Sequence, residues 1–140
     1  MTQGSQATEE PSAREWLTRT RDFERRGEFL RAYDTAVSGL QRYPEDQSLQ
    51  YRSVLVLARA GATNLATRHY NQYGLADSED EDFAALGARL SKDVALGETG
   101  ASRAAQAAVA AEKYERIFNR TGGHYPAINA ATLYLVAGDP

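Results

Sequence analysis

The segment WLTRTRDFERRGEFLRAYDTAVSGLQRYP, residues 16–44, decides the fold. Gly27 sits where one helical pattern stops and the next starts, and a left-handed residue there closes the first helix without the penalty of a Cβ. Ala32 and Gly39 are small where two helices cross closely, while Trp16, Phe23 and Phe29 fill the space beside them. Pro44 stops the second helix, because it has no amide proton and disfavours helical geometry in the residue before it. One helical hairpin is readable here.

The hairpin repeats downstream. Gly27 and Gly61 lie 34 residues apart, as do Ala32 and Ala66, and Phe23 and Leu57. Tyr73 and Gly74 replace Gly39 and Leu40, so the second copy keeps the pattern less faithfully. After the acidic run at 77–82, Phe83, Leu86, Gly87 and Leu90 restore a first-helix pattern. The partner helix then arrives late: Ala66 to Ala110 and Tyr70 to Tyr114 are each 44 apart, whereas Leu57 to Leu90 is only 33. An excess of 11 residues therefore falls between Leu90 and Ala110, and the connector at 97–100 is its natural place. Pro126 opens one more first-type helix, which ends at Gly138. The expectation is an all-α chain with seven helices near 12–26, 28–42, 46–60, 62–73, 80–96, 102–120 and 126–137. Residues 1–11 are expected as a disordered tail and 12–140 as one repeat domain that continues beyond 140.

With Trp16, Phe23, Gly27, Phe29, Ala32, Gly39, Leu40 and Pro44 at these spacings, the segment resembles a tetratricopeptide repeat. That resemblance implies a solenoid of antiparallel helical hairpins. The segment Gly123-His124-Tyr125-Pro126-Ala127-Ile128-Asn129-Ala130-Ala131-Thr132-Leu133, with Tyr114-Glu115-Arg116-Ile117-Phe118 before it, is more particular. It is similar to bacterial tetratricopeptide proteins related to the TRAF-binding regulatory domain of the apoptosis signal-regulating MAP kinase kinase kinases. The likeness is best over 112–138 and looser over 14–96. It implies a module that holds protein partners and regulates an attached effector.

Composition narrows the chemistry. A net charge of −3 gives no reason to expect a nucleic-acid partner, and no stretch approaches the length and apolarity of a membrane span. The chain has no cysteine, which excludes disulfides, thiolate metal sites and cysteine nucleophiles and suits a reducing compartment, so a cytoplasmic location is expected. His69 and His124 have no second ligand at a metal-site spacing, so no metal or cofactor is expected. Gly97-Glu98-Thr99-Gly100 lacks the Lys-Ser/Thr ending of a phosphate loop. The carboxylates at 77–82 precede a helix, where they complement its dipole. No nucleophile stands beside a base, and the chain is read as non-enzymatic.

Binding is expected in two places. By the resemblance, first helices line a concave surface, and they bring Arg14, Leu17, Arg21, Glu24 and Arg25 there. Ser48, Tyr51, Leu55 and Arg59 follow, then Ala84, Ala88, Ser91 and Lys92. Arg14, Arg21 and Arg25 fall on one helical face, which suits an acidic protein or peptide with an apolar anchor. The second place is the last helix, apolar nearly all round, where Ile128, Leu133, Leu135 and Val136 are expected to include an exposed edge. Self-association into a homo-oligomer through that edge is the alternative function.

Overall fold

The computed structural model describes residues 9–138. These residues form seven α-helices: α1 Ala13–Arg25, α2 Phe29–Arg42, α3 Gln47–Arg59, α4 Thr63–Gln72, α5 Glu81–Leu96, α6 Gly100–Thr121 and α7 His124–Gly138. A single 3₁₀ turn, Leu75–Asp77, lies between α4 and α5, and no strand occurs among the described residues. Chain contacts divide into two compact units, residues 1–60 with α1 to α3 and residues 61–140 with α4 to α7. The expected tail falls partly on residues 1–8, outside the described residues; Glu10 and Pro11 are tied to α2 and its C-cap. Glu10 pairs with Arg42 at 2.7 Å, and the Tyr43 hydroxyl donates to the Pro11 carbonyl at 2.9 Å.

In unit 1, α1 starts at Ser12, whose hydroxyl accepts from the Glu15 amide, and α3 starts at Asp46, whose carboxylate accepts from the Leu49 amide at 2.9 Å. Gly27 has φ of 75° and Gly61 φ of 84°, so the 34-residue spacing marks one backbone conformation used twice. Gly39 is required by proximity. A Cβ there would stand 2.8 Å from the Trp16 Cβ and 3.0 Å from a Leu49 methyl, which fixes how closely α2 passes its neighbours. Ala32 and Ala36, fully buried, line the same helix.

Unit 2 is built differently. The connector between α5 and α6 has only three residues, 97–99, the same length as the one between α3 and α4. The excess expected in that connector is taken up as helix: α5 has 16 residues and α6 has 22, against 13 in α3 and 10 in α4. The cause is local, since residues 101–111 hold seven alanines, the best helix former, and leave no reason to loop out. The core joining α5, α6 and α7 is correspondingly fine-grained: Ala88, Ala95, Ala107, Ala110 and Ala111 surround Tyr114, with Leu133 contributed by α7. Tyr114 is 1% exposed and stands edge-on to Tyr125, ring centroids 6.2 Å apart. Asp80 caps α5 by accepting from the amides of Asp82 and Phe83, so the acidic run does open that helix. The last helix starts at His124, two residues ahead of Pro126. That places the proline inside the first turn, where its missing amide proton goes unnoticed, and makes His124 a helical residue. The expected end of this helix at Gly138 agrees with the structure, and residues 139–140 lie outside the described residues.

Candidate functional site

The basic face of unit 1 begins with α1, which leaves Arg14, Arg21 and Arg25 exposed and Leu17 half-buried. Arg25 pairs with Asp22 one turn back, an exposed contact of little energetic weight. Tyr51 and Leu55 on α3 are half-buried. Arg59 is committed elsewhere. Its guanidinium reaches the Glu24 carboxylate at 2.5 Å and lies 5.1 Å from the centre of the Phe29 ring. Arg52 approaches the same carboxylate at 3.2 and 3.3 Å. Glu24, expected on the open surface, is 5% exposed. A carboxylate between two guanidiniums gains enough charge-assisted bonding to be drawn under the helix pair, which a one-helix projection does not show. Unit 1 therefore presents Arg14, Arg21 and Arg25 outward and keeps Arg52 and Arg59 for itself.

Unit 2 holds the other residues assigned to the groove. Ala88 is fully buried, which corrects its placement on a surface. Lys92 is half-buried, and its ammonium donates to Asn129 Oδ1 at 3.0 Å, joining α5 to α7. Ser91 and Ala84 line a cleft that sequence reasoning missed. One lobe, about 210 Å³, is lined by Tyr70, Ser78, Ala84, Lys113, Arg116 and Arg120, among others. The neighbouring lobe, about 290 Å³, shares Tyr70, Ala76, Gly87 and Lys113 and adds Leu90, Ser91, Val94 and Val109. Gly87 leaves room: a Cβ there would meet the Tyr70 ring at 2.9 Å and its hydroxyl closer still. The Tyr70 hydroxyl donates to the Phe83 carbonyl at 2.9 Å, and burial, then Asp77, pushes its pKa up.

Three cations from α6 reach this cleft, at positions 113, 116 and 120, which one helical face brings together. Lys113 donates to the Ser91 hydroxyl at 2.6 Å, and burial, then the Arg116 charge, pulls its pKa below the usual lysine value. Arg120 donates to the Glu79 backbone carbonyl at 3.3 Å, and Arg116 stands 3.9 Å from Glu112, an exposed pair. No carboxylate side chain is among the residues lining either lobe. The signal was present in the spacing of Lys113, Arg116 and Arg120, but Glu112 and Glu115 interleave with them and give the segment the look of an ordinary solvated helix.

The apolar edge on α7 divides. Leu133 is 3% exposed and Val136 half-buried, both packed towards Tyr114 and its alanines, which corrects their placement on the edge. Ile128 and Leu135 are 65% and 75% exposed, one heptad apart and so on one face. Tyr125 is also exposed, and the Tyr134 hydroxyl bonds to Glu115, which raises its pKa. Residues 124–138 carry no Asp, Glu, Lys or Arg.

His69 is half-buried, edge-on to Tyr73, with its pKa lowered by burial and then by Arg68. No group of three His, Cys, Asp or Glu among the described residues is placed to hold a metal ion, and no helix there is long and apolar enough to cross a membrane. No curated protein and no solved structure matches the chain. Tetratricopeptide-type domains generally mediate contacts between proteins, or sensing, and generally lack catalysis of their own. Residues 28–134, well over half the sequence and all but the first helix and the last few residues of the fold, match one such family: the chain belongs to the Tetratricopeptide Repeats-Sensor family.

Proposed function

We propose that this chain is a non-catalytic, cytoplasmic interaction module that regulates an effector or signalling domain, within or bound to a longer bacterial protein. Membership of a repeat family named for sensing carries the reading. The likeness of residues 112–138 to bacterial relatives of the kinase-regulating domain supports its regulatory half. The docking face is the one α1 offers in unit 1: Arg14 and Arg21 exposed, Leu17 beside them, with Tyr51 and Leu55 on α3. Exposed guanidiniums together with half-buried apolar side chains suit an acidic peptide with an apolar anchor. A fluorescent peptide of that composition should bind weakly, and more weakly as salt rises. Arg14→Glu with Arg21→Glu should abolish binding while circular dichroism stays unchanged. Binding that survives the double reversal sinks this face as the site.

A second reading rests on α7. Ile128 and Leu135 on an uncharged helix favour pairing with another copy of the chain, since no like charges would oppose it. Sedimentation should then show concentration-dependent association, relieved by Ile128→Ser with Leu135→Ser. A monomer at high concentration that binds no apolar dye excludes it.

A further inference from the structure

The cleft of unit 2 has the composition of an anion site. Lys113, Arg116 and Arg120 occupy positions i, i+3 and i+7 of α6, spanning roughly 10 Å of helix, within reach of one another for side chains of their length. All three line the same lobe, with no carboxylate in its wall. Of the adjacent acidic residues, Glu112 makes an exposed pair with Arg116 at 3.9 Å and Asp77 lies near enough to Tyr70 to raise its pKa, but neither lines a lobe. Asp80 caps α5, and Asp77 turns its carboxylate back over Gly74, 3.7 Å from where a Cβ would stand. Glu79 offers Arg120 only its backbone carbonyl. Ser78 and Ser91 add hydroxyls to the two lobes. The contrast is with Arg52 and Arg59, which share the buried Glu24 carboxylate. Here three cations stand together.

We propose that this cleft binds a phosphomonoester, with the phosphoryl group between Lys113, Arg116 and Arg120 and the organic stem in the adjoining lobe along Leu90, Val94 and Val109. Three cations and a hydroxyl supply more donors than a single carboxylate uses, and a dianion with three terminal oxygens matches them better. Arginine forks meet such oxygens two at a time, while the lysine acts as a point charge. At about 210 Å³ the basic lobe has room for a phosphoryl group, and the second lobe of about 290 Å³ suits a stem of modest size. The desolvated ammonium of Lys113 gains a counter-charge on binding, which makes it the residue whose loss is felt most. The site lies wholly in unit 2 and stands or falls separately from the α1 docking face.

The test uses the full chain and three probes: inorganic phosphate, phenyl phosphate, and a short peptide carrying one phosphotyrosine. Calorimetry should show saturable binding of phenyl phosphate, tighter than inorganic phosphate because the stem adds contact. Lys113→Met and Arg120→Gln should each weaken it about tenfold or more, while Arg14→Gln with Arg21→Gln leaves it unchanged. A phosphopeptide that binds more tightly than phenyl phosphate makes a modified protein side chain the source of the phosphoryl group; equal or weaker binding makes it a free small molecule. Amide resonances of residues 113–120 and of Ser91 should move on titration. Absence of saturable binding by all three probes, or binding that Lys113→Met leaves intact with the fold preserved, overturns the proposal.

Discussion

Two groups of basic side chains in this molecule meet opposite fates. In unit 1, Arg52 and Arg59 close on the Glu24 carboxylate, which is buried between them. In unit 2, Lys113, Arg116 and Arg120 gather at a cleft whose wall holds no carboxylate. Removing charges from water is costly, and buried Glu24 with half-buried Arg52 recovers that cost through a fixed partner. In the second only Lys113 is half-buried, and it meets the Ser91 hydroxyl, whereas Arg116 and Arg120 are exposed beside Glu112 and the Glu79 carbonyl. The first arrangement holds the fold together, and the second awaits something from outside. The cores beneath them differ in parallel: unit 1 buries the aliphatics Leu49, Val54, Val56 and Leu57 with half-buried aromatics beside them, whereas the α5–α7 core of unit 2 centres on Tyr114 within alanines.

The largest effect expected from that contrast is at the core. Tyr114→Ala should lower stability by about 3–5 kcal/mol, since alanine neighbours cannot extend to refill the space. Phe23→Ala, at a half-buried ring in unit 1, should cost less. Urea melts in which Phe23→Ala is the more damaging would reverse the comparison. Next comes Glu24→Gln, which strands two guanidiniums and should cost about 2 kcal/mol, moderated because Arg59 is partly exposed. Lys113→Met, by contrast, should leave stability within about 0.5 kcal/mol or raise it. Equal losses for Glu24→Gln and Lys113→Met would erase the distinction between structural and ligand-seeking cations.

Much of the fold was legible because the repeat ties local signals to one period. Gly27 and Gly61 announced two left-handed turns, and Pro44 and the acidic run at 77–82 announced a stop and a start. What period alone misplaced was the excess of residues after Leu90. Counting locates an insertion between two landmarks, but only the helix propensity of the 101–111 alanines says that it extends helices and not the loop. The sites were less legible for a different reason. A helical projection shows which residues share a face but not what the neighbouring helix contributes. Glu24 looked like a surface acid until Arg52 and Arg59 arrived from α3. Lys113 looked like one member of a mixed charged helix until Gly87 and Tyr70 opened a cleft before it.

A smaller effect tests the close helix approaches in each unit. Replacing a helical glycine by alanine ordinarily stabilises by about 1 kcal/mol. At Gly39 and Gly87 the sign should invert, with a loss of about 1–2 kcal/mol, because the new methyl strikes Trp16 in one case and the Tyr70 ring in the other. Gly39→Ala confronts the Trp16 Cβ, which the backbone fixes, whereas Gly87→Ala meets the far end of a tyrosine. Thermal melts should therefore rank Gly39→Ala as the costlier. Stabilisation by either change would mean that the approach is looser than the distances indicate.

The smallest effect is the pH dependence of Lys113, and it reads the unpaired cation directly. Burial holds its pKa below the ordinary 10.5, and Arg116 adds to the shift. Between the folded value and 10.5 the unfolded chain binds the extra proton, so the contribution of this group to stability rises with pH across that window. Below the window the charged lysine is a constant burden on the folded state; above 10.5 the burden is gone. Tyr70 and Tyr114, whose pKa values burial raises, act in the opposite direction at alkaline pH, because their unfolded forms lose protons first. Those tyrosines are common to wild type and Lys113→Met, so the difference between the two proteins isolates the lysine. Urea midpoints from about pH 8 to about pH 10.5 should show wild type gaining on the variant as pH rises. Saturating phenyl phosphate at the lower pH should remove most of that gap by giving the ammonium its counter-charge. A gap that runs the other way, with wild type losing ground as pH rises, would mean that Lys113 already has an anionic partner within the fold.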